Sequence, residues 1–131
     1  MNMLKEEWFS LEEIKKGDIM YWNVTSQCHN TFRIELKDDD RTYFTAEKKD
    51  NETTLKEISQ GYAFYQGGKS LRLEVTFDNG GADIKQSIVC GSITDDRSRT
   101  VGVSYTYCFE DAEDDDYNDA YVAVMAWRKA N

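Results

Sequence analysis

Ten residues near the end of the sequence, EDAEDDDYND over Glu110–Asp119, hold most of the chain's net negative charge. Seven of these ten side chains are carboxylates and none is basic. The whole chain has a net charge of −9, so the rest of the chain carries only −2. Carboxylates this close together repel one another and disfavour full ionisation in a compact fold. The segment is therefore either a solvated acidic turn, as most charge runs are, or a set of ligands around a cation.

The residues on either side of the acidic segment favour the cation. Val101–Phe109 alternates apolar side chains with period two, and Ala120–Trp127 is apolar throughout, as expected of two strands. A loop between two neighbouring strands is held at both ends, so its oxygen atoms can converge. Ca²⁺ takes about 6–8 such ligands from carboxylates, amides and carbonyls. The sequence therefore predicts a calcium-binding loop over 110–119.

The predicted loop is not an EF-hand, although Asp114, Asp116 and Asn118 imitate its first, third and fifth positions. The sixth position, which requires glycine, is Asp119, and the twelfth, which requires a bidentate glutamate, is Met125. The flanking segments also have strand rather than helix periodicity. The sequence therefore still predicts calcium binding, but by a loop between two strands rather than between two helices.

The rest of the chain predicts an all-β fold, an antiparallel β-sandwich of about eight or nine strands in a single domain over residues 1–131. The clearest strand alternates Leu71, Leu73, Val75 and Phe77. The predicted strands are Ile19–Val24, Thr31–Leu36, Arg41–Glu47, Gly61–Gln66, Ser70–Phe77, Asp83–Cys90, Val101–Phe109 and Ala120–Trp127, with a further short strand or turn at Leu55–Ile58.

The connections between these strands are predicted from turn chemistry. The sequence Asp-Asn-Gly-Gly over 78–81 predicts a β-hairpin that joins Ser70–Phe77 to Asp83–Cys90, since Asn-Gly is the strongest short-range hairpin signal. Residues 1–13 are interpreted as a lead-in, 37–40 as a turn with solvated acids, and 91–99 as a loop. Lys15–Asp18 is predicted to be a turn that uses the permissive backbone of Gly17.

The acidic composition argues against nucleic acid, which needs basic patches, and against adsorption to anionic membranes. Met1–Phe9 is polar and acidic, without the apolar core of a signal peptide. No stretch reaches the roughly 18 apolar residues of a transmembrane helix. The sequence predicts no membrane insertion, and a location that is cytoplasmic or reached by export without a recognisable signal peptide.

Other reactive side chains give little evidence of catalysis or of a second metal site. Cys28, Cys90 and Cys108 are widely spaced and odd in number, which favours reduced thiols over a zinc site and leaves open one disulfide with a spare thiol in an exported protein. His29 is the only histidine and has no recognisable catalytic partners. Five strand aromatics are interpreted as core rather than as a platform for sugar rings: Tyr21, Trp22, Tyr105, Tyr107 and Trp127.

At Glu110–Asp119 the sequence resembles the calcium-mediated bacterial lectins that bind fucose and mannose. Their motif is approximately E-D-G-x-D-x-D-Y-N-D, followed by an apolar strand that ends in tryptophan. Here it stands as EDAEDDDYND followed by AYVAVMAW. Weaker similarity covers Phe9–Leu11 with Gly17–Trp22, which looks like the family's first hairpin, and Gly68-Lys69 before an alternating strand.

The resemblance implies a nine-stranded sandwich with two adjacent calcium ions, to which the vicinal hydroxyls of a sugar bind directly. The residues at the motif positions of calcium ligands are Glu110, Asp114, Asp116, Asn118 and Asp119. The residues that would contact the sugar are Asp111, Asp114, Asp116 and Asp119, together with the family's specificity loop after its first strand, which here falls at Thr25, Ser26 and Gln27.

Three positions depart from the family pattern. Ala112 replaces a glycine that lets the backbone approach the sugar, and Ser26–Cys28 is bulkier than the usual specificity loop. The chain continues through Arg128–Asn131, whereas family members end in a glycine whose carboxylate completes the neighbouring protomer's site. A homo-oligomer of that kind is therefore left open.

The resulting functional prediction is a non-enzymatic, calcium-dependent carbohydrate-binding protein with one or two Ca²⁺ ions and a fucose- or mannose-like mono- or oligosaccharide as partner. Glycosidases use carboxylates that flank the substrate from two sides, and acids on one short loop do not provide that arrangement. The alternative is a calcium-stabilised structural or interaction domain without a sugar site, which the three departures favour.

Overall fold

The computed structural model describes residues 4–110 and 120–129, and all regular structure in this part of the chain is β-strand. The prediction of an all-β antiparallel sandwich is confirmed. No helix among these residues is long and apolar enough to cross a membrane. The nine strands are β1 (Leu4–Ser10), β2 (Ile19–Ser26), β3 (Phe32–Lys37), β4 (Thr42–Lys48), β5 (Lys56–Phe64), β6 (Arg72–Asp78), β7 (Lys85–Thr94), β8 (Thr100–Glu110) and β9 (Ala120–Trp127).

The strands form two antiparallel sheets that face each other. The four-stranded sheet has the order β1-β6-β3-β4 and the five-stranded sheet the order β5-β2-β9-β8-β7. Aromatic rings meet across the interface between them. The ring centroids of Phe77 on β6 and Phe109 on β8 lie 6.4 Å apart, and those of Phe44 on β4 and Trp22 on β2 lie 4.9 Å apart.

The core follows the alternation that the sequence shows most clearly. On β6, Leu73, Val75 and Phe77 are fully buried, and on β9, Val122 and Val124 are buried in the same way. Burying a side chain of this size contributes about 1.5–3 kcal/mol to stability relative to leaving it exposed. The inward faces of the two sheets therefore hold the sandwich together.

The predicted hairpin at 78–81 is wrong. β6 pairs with β1 and β3 in the four-stranded sheet, whereas β7 pairs with β8 in the five-stranded sheet. Gly80 and Gly81 do adopt positive φ angles, as a tight turn requires. The turn reverses the chain, but it carries the chain from one sheet to the other, so Asn-Gly marks a crossover here.

Three other segments also differ from the prediction. Leu4–Ser10 is a strand rather than a lead-in, and it pairs with β6, so it makes no first hairpin with β2. β5 runs from Lys56 to Phe64, so the short strand or turn predicted at Leu55–Ile58 and the strand predicted at Gly61–Gln66 fall in one continuous strand. β7 continues to Thr94, so only a short turn remains of the loop predicted over 91–99. In this turn the Arg99 side chain donates to the Asp95 carboxylate at 2.8 Å, and Ser98 has a φ of 62°.

Asp38 lies in the turn between β3 and β4, and the prediction that its carboxylate is solvated is wrong. The side chain is buried and accepts hydrogen bonds from the backbone N–H groups of Asp40 at 2.8 Å and Arg41 at 2.9 Å, and from the Tyr43 hydroxyl at 3.0 Å. It packs so closely on Gly68 that a Cβ there would lie 2.3 Å from it. Burial alone would raise the pKa of Asp38, but the three hydrogen bonds outweigh it and lower this pKa.

Replacing Asp38 by asparagine is expected to lower the free energy of unfolding at neutral pH by about 1–3 kcal/mol, since asparagine has no charge and replaces one of the two acceptor oxygens by an NH2 donor. Because the pKa of Asp38 is lower in the folded state, its contribution is present above the ordinary value of 3.8 and is lost as pH falls below it. Urea unfolding at pH 7 and pH 3 measures both effects. Asp40→Asn, at an exposed carboxylate of the same turn, should change little; an equal loss there would contradict this role.

Candidate functional site

The acidic segment joins the ends of two neighbouring strands, as the sequence predicts. β8 and β9 lie side by side, and their last paired residues at this end are Phe109 and Ala120. Residues 111–119 lie outside the described part of the chain, so the roles predicted for five of them stay predictions: Asp111, Asp114, Asp116, Asn118 and Asp119. The described site consists of the residues on either side of this segment.

Glu110 is the one predicted calcium ligand that the structure describes. It ends β8 opposite Lys85 of β7, and its exposed fraction is 0 %. A carboxylate is normally buried only where hydrogen bonds or opposite charge compensate for lost hydration. The structure places the buried carboxylate of Glu110 at the beginning of the acidic segment, and its role as a calcium ligand stays a prediction.

The end of β2 lies beside this position. Ser26 pairs with Ala120 of β9, and Ala120 pairs with Phe109 of β8, so these three residues form a row across three strands. Two strand spacings separate Ser26 from Phe109, or about 10 Å. The structure thus brings Thr25 and Ser26 to the same end of the five-stranded sheet as Glu110.

The turn after β2 is held by its own hydrogen bonds. The Ser26 hydroxyl is fully buried, accepts from the Cys28 backbone N–H at 3.1 Å and lies 3.1 Å from the Cys28 sulfur. The Gln27 amide donates to the Tyr121 hydroxyl of β9 at 2.9 Å. Thr25 and Gln27 keep part of their surface exposed to solvent.

A second network supports the turn from the 48–56 segment. Asn51 donates to the His29 carbonyl at 2.8 Å, while Lys56 bonds to the Asp50 carboxylate at 2.6 Å. Lys48, whose side chain is fully buried, contacts the same carboxylate at 3.3 Å. The hydrogen bonds to the Asp50 carboxylate, first from Lys56 and then from the Glu52 backbone N–H, lower the pKa of Asp50 to about 2. Sequence reasoning missed this network because the segment shows no strand periodicity at its start.

The described residues alone do not make a metal centre. Within 4–110 and 120–129, no three or more His, Cys, Asp or Glu side chains form a group that could hold a metal ion. The remaining predicted donors belong to the acidic segment. The chemistry of the whole set, carboxylates and one amide, is that of a hard divalent cation such as Ca²⁺.

The aromatic residues of the strands divide between core and surface. Tyr105 and Tyr107 are buried, as predicted, and burial raises the pKa of Tyr105 to about 12. Tyr21 and Trp127 are 52 % and 37 % exposed, so interpreting them as core residues was wrong. Tyr21 precedes Ser26 by five residues on β2, which corresponds to about 17 Å along a strand. The exposed aromatics therefore lie away from the acidic segment.

The residue after β9 lies at that same far end. Arg128 is paired with the buried carboxylate of Asp18 at 2.5 Å, and its backbone N–H donates to the Val101 carbonyl at 2.9 Å. These contacts hold the start of the Arg128–Asn131 extension at the end of the sheet opposite Glu110.

Comparison with known proteins shows which proteins share this architecture. No protein-family model matches the chain, and no curated protein sequence matches it. Among solved structures, the C-terminal domain of the BC2L-C lectin from Burkholderia cenocepacia has a TM-score of 0.59 at 16 % identity, over 98 % of this chain and 100 % of that one.

Two further solved structures share this architecture. The high-affinity mannose-binding lectin of Ralstonia solanacearum has a TM-score of 0.58 at 18 % identity, and the Chromobacterium violaceum lectin CV2L, solved in complex with alpha-methyl-fucoside, has 0.57 at 16 %. Each match covers 94 % of this chain and 96 % of the other. The chain therefore has the fold of these bacterial lectins.

Proposed function

We propose that this chain is a calcium-dependent carbohydrate-binding protein, a single β-sandwich domain in which the acidic segment 110–119 holds one or two Ca²⁺ ions that bind sugar hydroxyls. The observation that carries the proposal is that Glu110 and the end of β2 lie at the same end of the five-stranded sheet. It occurs on a fold shared with a mannose-binding lectin and with a lectin bound to a fucoside.

The charge of the segment supports the metal. Seven carboxylates within ten residues repel one another strongly in the absence of a cation. Two Ca²⁺ ions carry four positive charges, so the seven carboxylates neutralise both and leave a negative excess. Calcium accepts neutral oxygen ligands with flexible geometry. The vicinal hydroxyls of a fucose- or mannose-like sugar suit such a site, and no bond has to break.

The turn after β2 supplies polar groups at this end of the sheet. Thr25 and Gln27 are partly exposed there, and both can form hydrogen bonds with hydroxyl groups. The Gln27 amide already donates to Tyr121, which fixes its direction before a ligand arrives. An ordered polar group loses less conformational entropy on binding than a mobile one, so this turn favours selection among sugars.

One observation favours the alternative, a calcium-stabilised domain without a sugar site. The Ser26 hydroxyl is buried against Cys28, and Gln27 uses an amide hydrogen on Tyr121, so this turn offers few free donors and acceptors. Ala112 also stands where the related lectins have glycine. A structural calcium domain would bind the ion and gain stability from it, with no response to sugars.

Calorimetry on protein stripped with a chelator separates these functions. We expect calcium to bind with a stoichiometry of one or two, and mannose or fucose to release heat only in the calcium-loaded protein. Sugar binding that survives the chelator would contradict the proposed mechanism. Calcium heat without sugar heat would establish the structural alternative, and no calcium heat would show that the acidic segment is a solvated turn.

A further inference from the structure

The strand β7 forms one edge of the five-stranded sheet and is exposed along nearly its whole length. It pairs with β8 on one side, and no other strand among the described residues pairs with its second side. Nine of its ten residues are exposed, including Val89 at 71 % and Ile88 at 43 %. Its last eight residues, SIVCGSIT, contain no charge and no proline.

Such an edge differs from the protected edge at β1. The backbone N–H and C=O groups on the outer side of an edge strand are a template for another strand, and proteins usually block them with charge, proline or short length. β1 carries Lys5, Glu6 and Glu7, and Lys5 is paired with Asp83 at 3.1 Å. β7 is long and has none of these protections over 87–94.

The sequence of β7 is complementary to itself. Two copies of β7 can pair in antiparallel fashion about a two-fold axis perpendicular to the sheet. Side chains that lie directly opposite each other then point to the same face, so the two residue numbers of every opposed pair have the same, even sum. With the axis at Cys90 the sum is 180. Val89 then faces Gly91 of the second copy, Ile88 faces Ser92, and Ser87 faces Ile93, so each large side chain lies opposite a small one.

The geometry at Gly91 supports this register. A Cβ at Gly91 would meet no atom within 4 Å, so the space beside it is open. The Val89 side chain, which is apolar and 71 % exposed, has a suitable size to fill the space beside Gly91 of the second copy. Packing of an exposed β-branched side chain across strands is the usual source of stability between neighbouring strands.

The residues at the two ends of β7 are compatible with the same arrangement. Lys85 stands at one end, and the turn with Asp95 and Asp96 follows the other. A register sum of 180 brings Lys85 of each copy near this turn of the other, in which Asp95 is already paired with Arg99 at 2.8 Å, so charge at the two ends does not oppose the pairing. The chain's overall charge of −9 opposes self-association, so the local complementarity has to offset it.

We propose that two copies of this chain associate through β7 in antiparallel register about a two-fold axis at Cys90, which joins their five-stranded sheets into one continuous sheet. An isologous contact of this kind uses the same surface on both subunits and closes at the dimer. The contact lies on the edge of the sheet and requires neither calcium nor sugar, so it is tested independently of the proposed binding activity.

Sedimentation velocity over a concentration series tests the association. The wild-type protein should change from monomer to dimer with increasing concentration, and Val89→Lys should remain a monomer, because each copy would bury a lysine against the other. Leu4→Lys is the matched control, since Leu4 is a 55 % exposed residue of the β1 edge; it should dimerise like wild type. Thermal melts followed by circular dichroism, at a concentration where the proteins are monomeric, verify that both variants fold.

Oxidative cross-linking tests the register. Directly opposed residues of antiparallel strands have Cα atoms about 4.5–5.5 Å apart, within the roughly 4.4–6.8 Å of disulfides. In a Cys108→Ser background, with Cys28 buried at 2 % exposure, mild oxidation should give a covalent dimer, and Cys90→Ser should abolish it. A protein that is monomeric at all concentrations, a dimer that survives Val89→Lys, or a dimer without this cross-link would overturn the proposal.

Discussion

Replacing Glu110 by glutamine is expected to remove most of the calcium affinity and leave the sandwich folded. Glutamine keeps the size of the side chain, which is fully buried at the end of β8, but it removes one negative charge from the ligand set. Loss of even a supporting group costs about 10–100-fold in metal affinity, so we expect at least about 100-fold for a direct ligand. Asp116→Ala should lose calcium and sugar binding together.

Calcium titration and thermal melting with and without calcium measure this effect. Calcium that binds only the folded state stabilises it by about 2.7 kcal/mol at 100 times its dissociation constant, and the Glu110→Gln variant should lose this rise in melting temperature. Glu6→Gln, at an exposed glutamate of β1, is the control and should keep it. Wild-type calcium affinity in Glu110→Gln would exclude this carboxylate from the metal site.

Replacing Phe109 by alanine is expected to give the largest loss of stability, about 3–5 kcal/mol. Its ring is fully buried and lies 5.6 Å from that of Tyr107 on the same strand, 5.5 Å from Phe9 on β1 and 6.4 Å from Phe77 on β6. The alanine variant leaves a cavity where both sheets meet. Because Phe109 directly precedes Glu110, calcium affinity should fall as well.

Urea unfolding at equilibrium measures the loss, with Phe64→Ala as the matched control. Phe64 ends β5 and is 51 % exposed, so its removal takes little apolar surface from the core. A loss at Phe109 no larger than the loss at Phe64 would show that the interface between the sheets closes around the missing ring.

The sequence predicted those parts of the fold whose signal lies within a strand. The alternation of Leu73, Val75 and Phe77 gave the position and the buried face of β6, and the two apolar runs around the acidic segment gave β8 and β9 as neighbours. In these segments the hydrophobic period and the strand geometry agree, so local residues suffice.

The errors arose where the answer depends on distant residues. Asn79 and Gly80 specify a reversal of the chain, but the partners of β6 are β1 and β3, which the turn does not encode. β1 lies at an edge with Trp8 63 % exposed, so it lacks the apolar alternation of a half-buried strand. Asp38 was interpreted as solvated because its donors, among them the Tyr43 hydroxyl, converge on it only in the folded turn.

The candidate site was predictable from its motif but not from its surroundings. Glu110 and the end of β2 converge because Ser26, Ala120 and Phe109 share a row in the sheet, and the resemblance to lectins anticipated this placement. The contact between Gln27 and Tyr121 was not anticipated. Period-two alternation assigns Tyr121 only to a face of the sheet and does not identify a partner on another strand.

The position of β9 determines when this sheet can form during protein synthesis. β9 lies between β2 and β8, and it pairs Trp127 with Ile19, residues near opposite ends of the sequence. A ribosome adds about 5–20 residues per second, so β2 waits several seconds for its neighbour. Until then both sides of the gap expose strand edges to other chains, and nascent copies on one message are the nearest. We therefore expect the folding yield in translation to depend on chaperones that cover β2 and β8 until β9 has been synthesised.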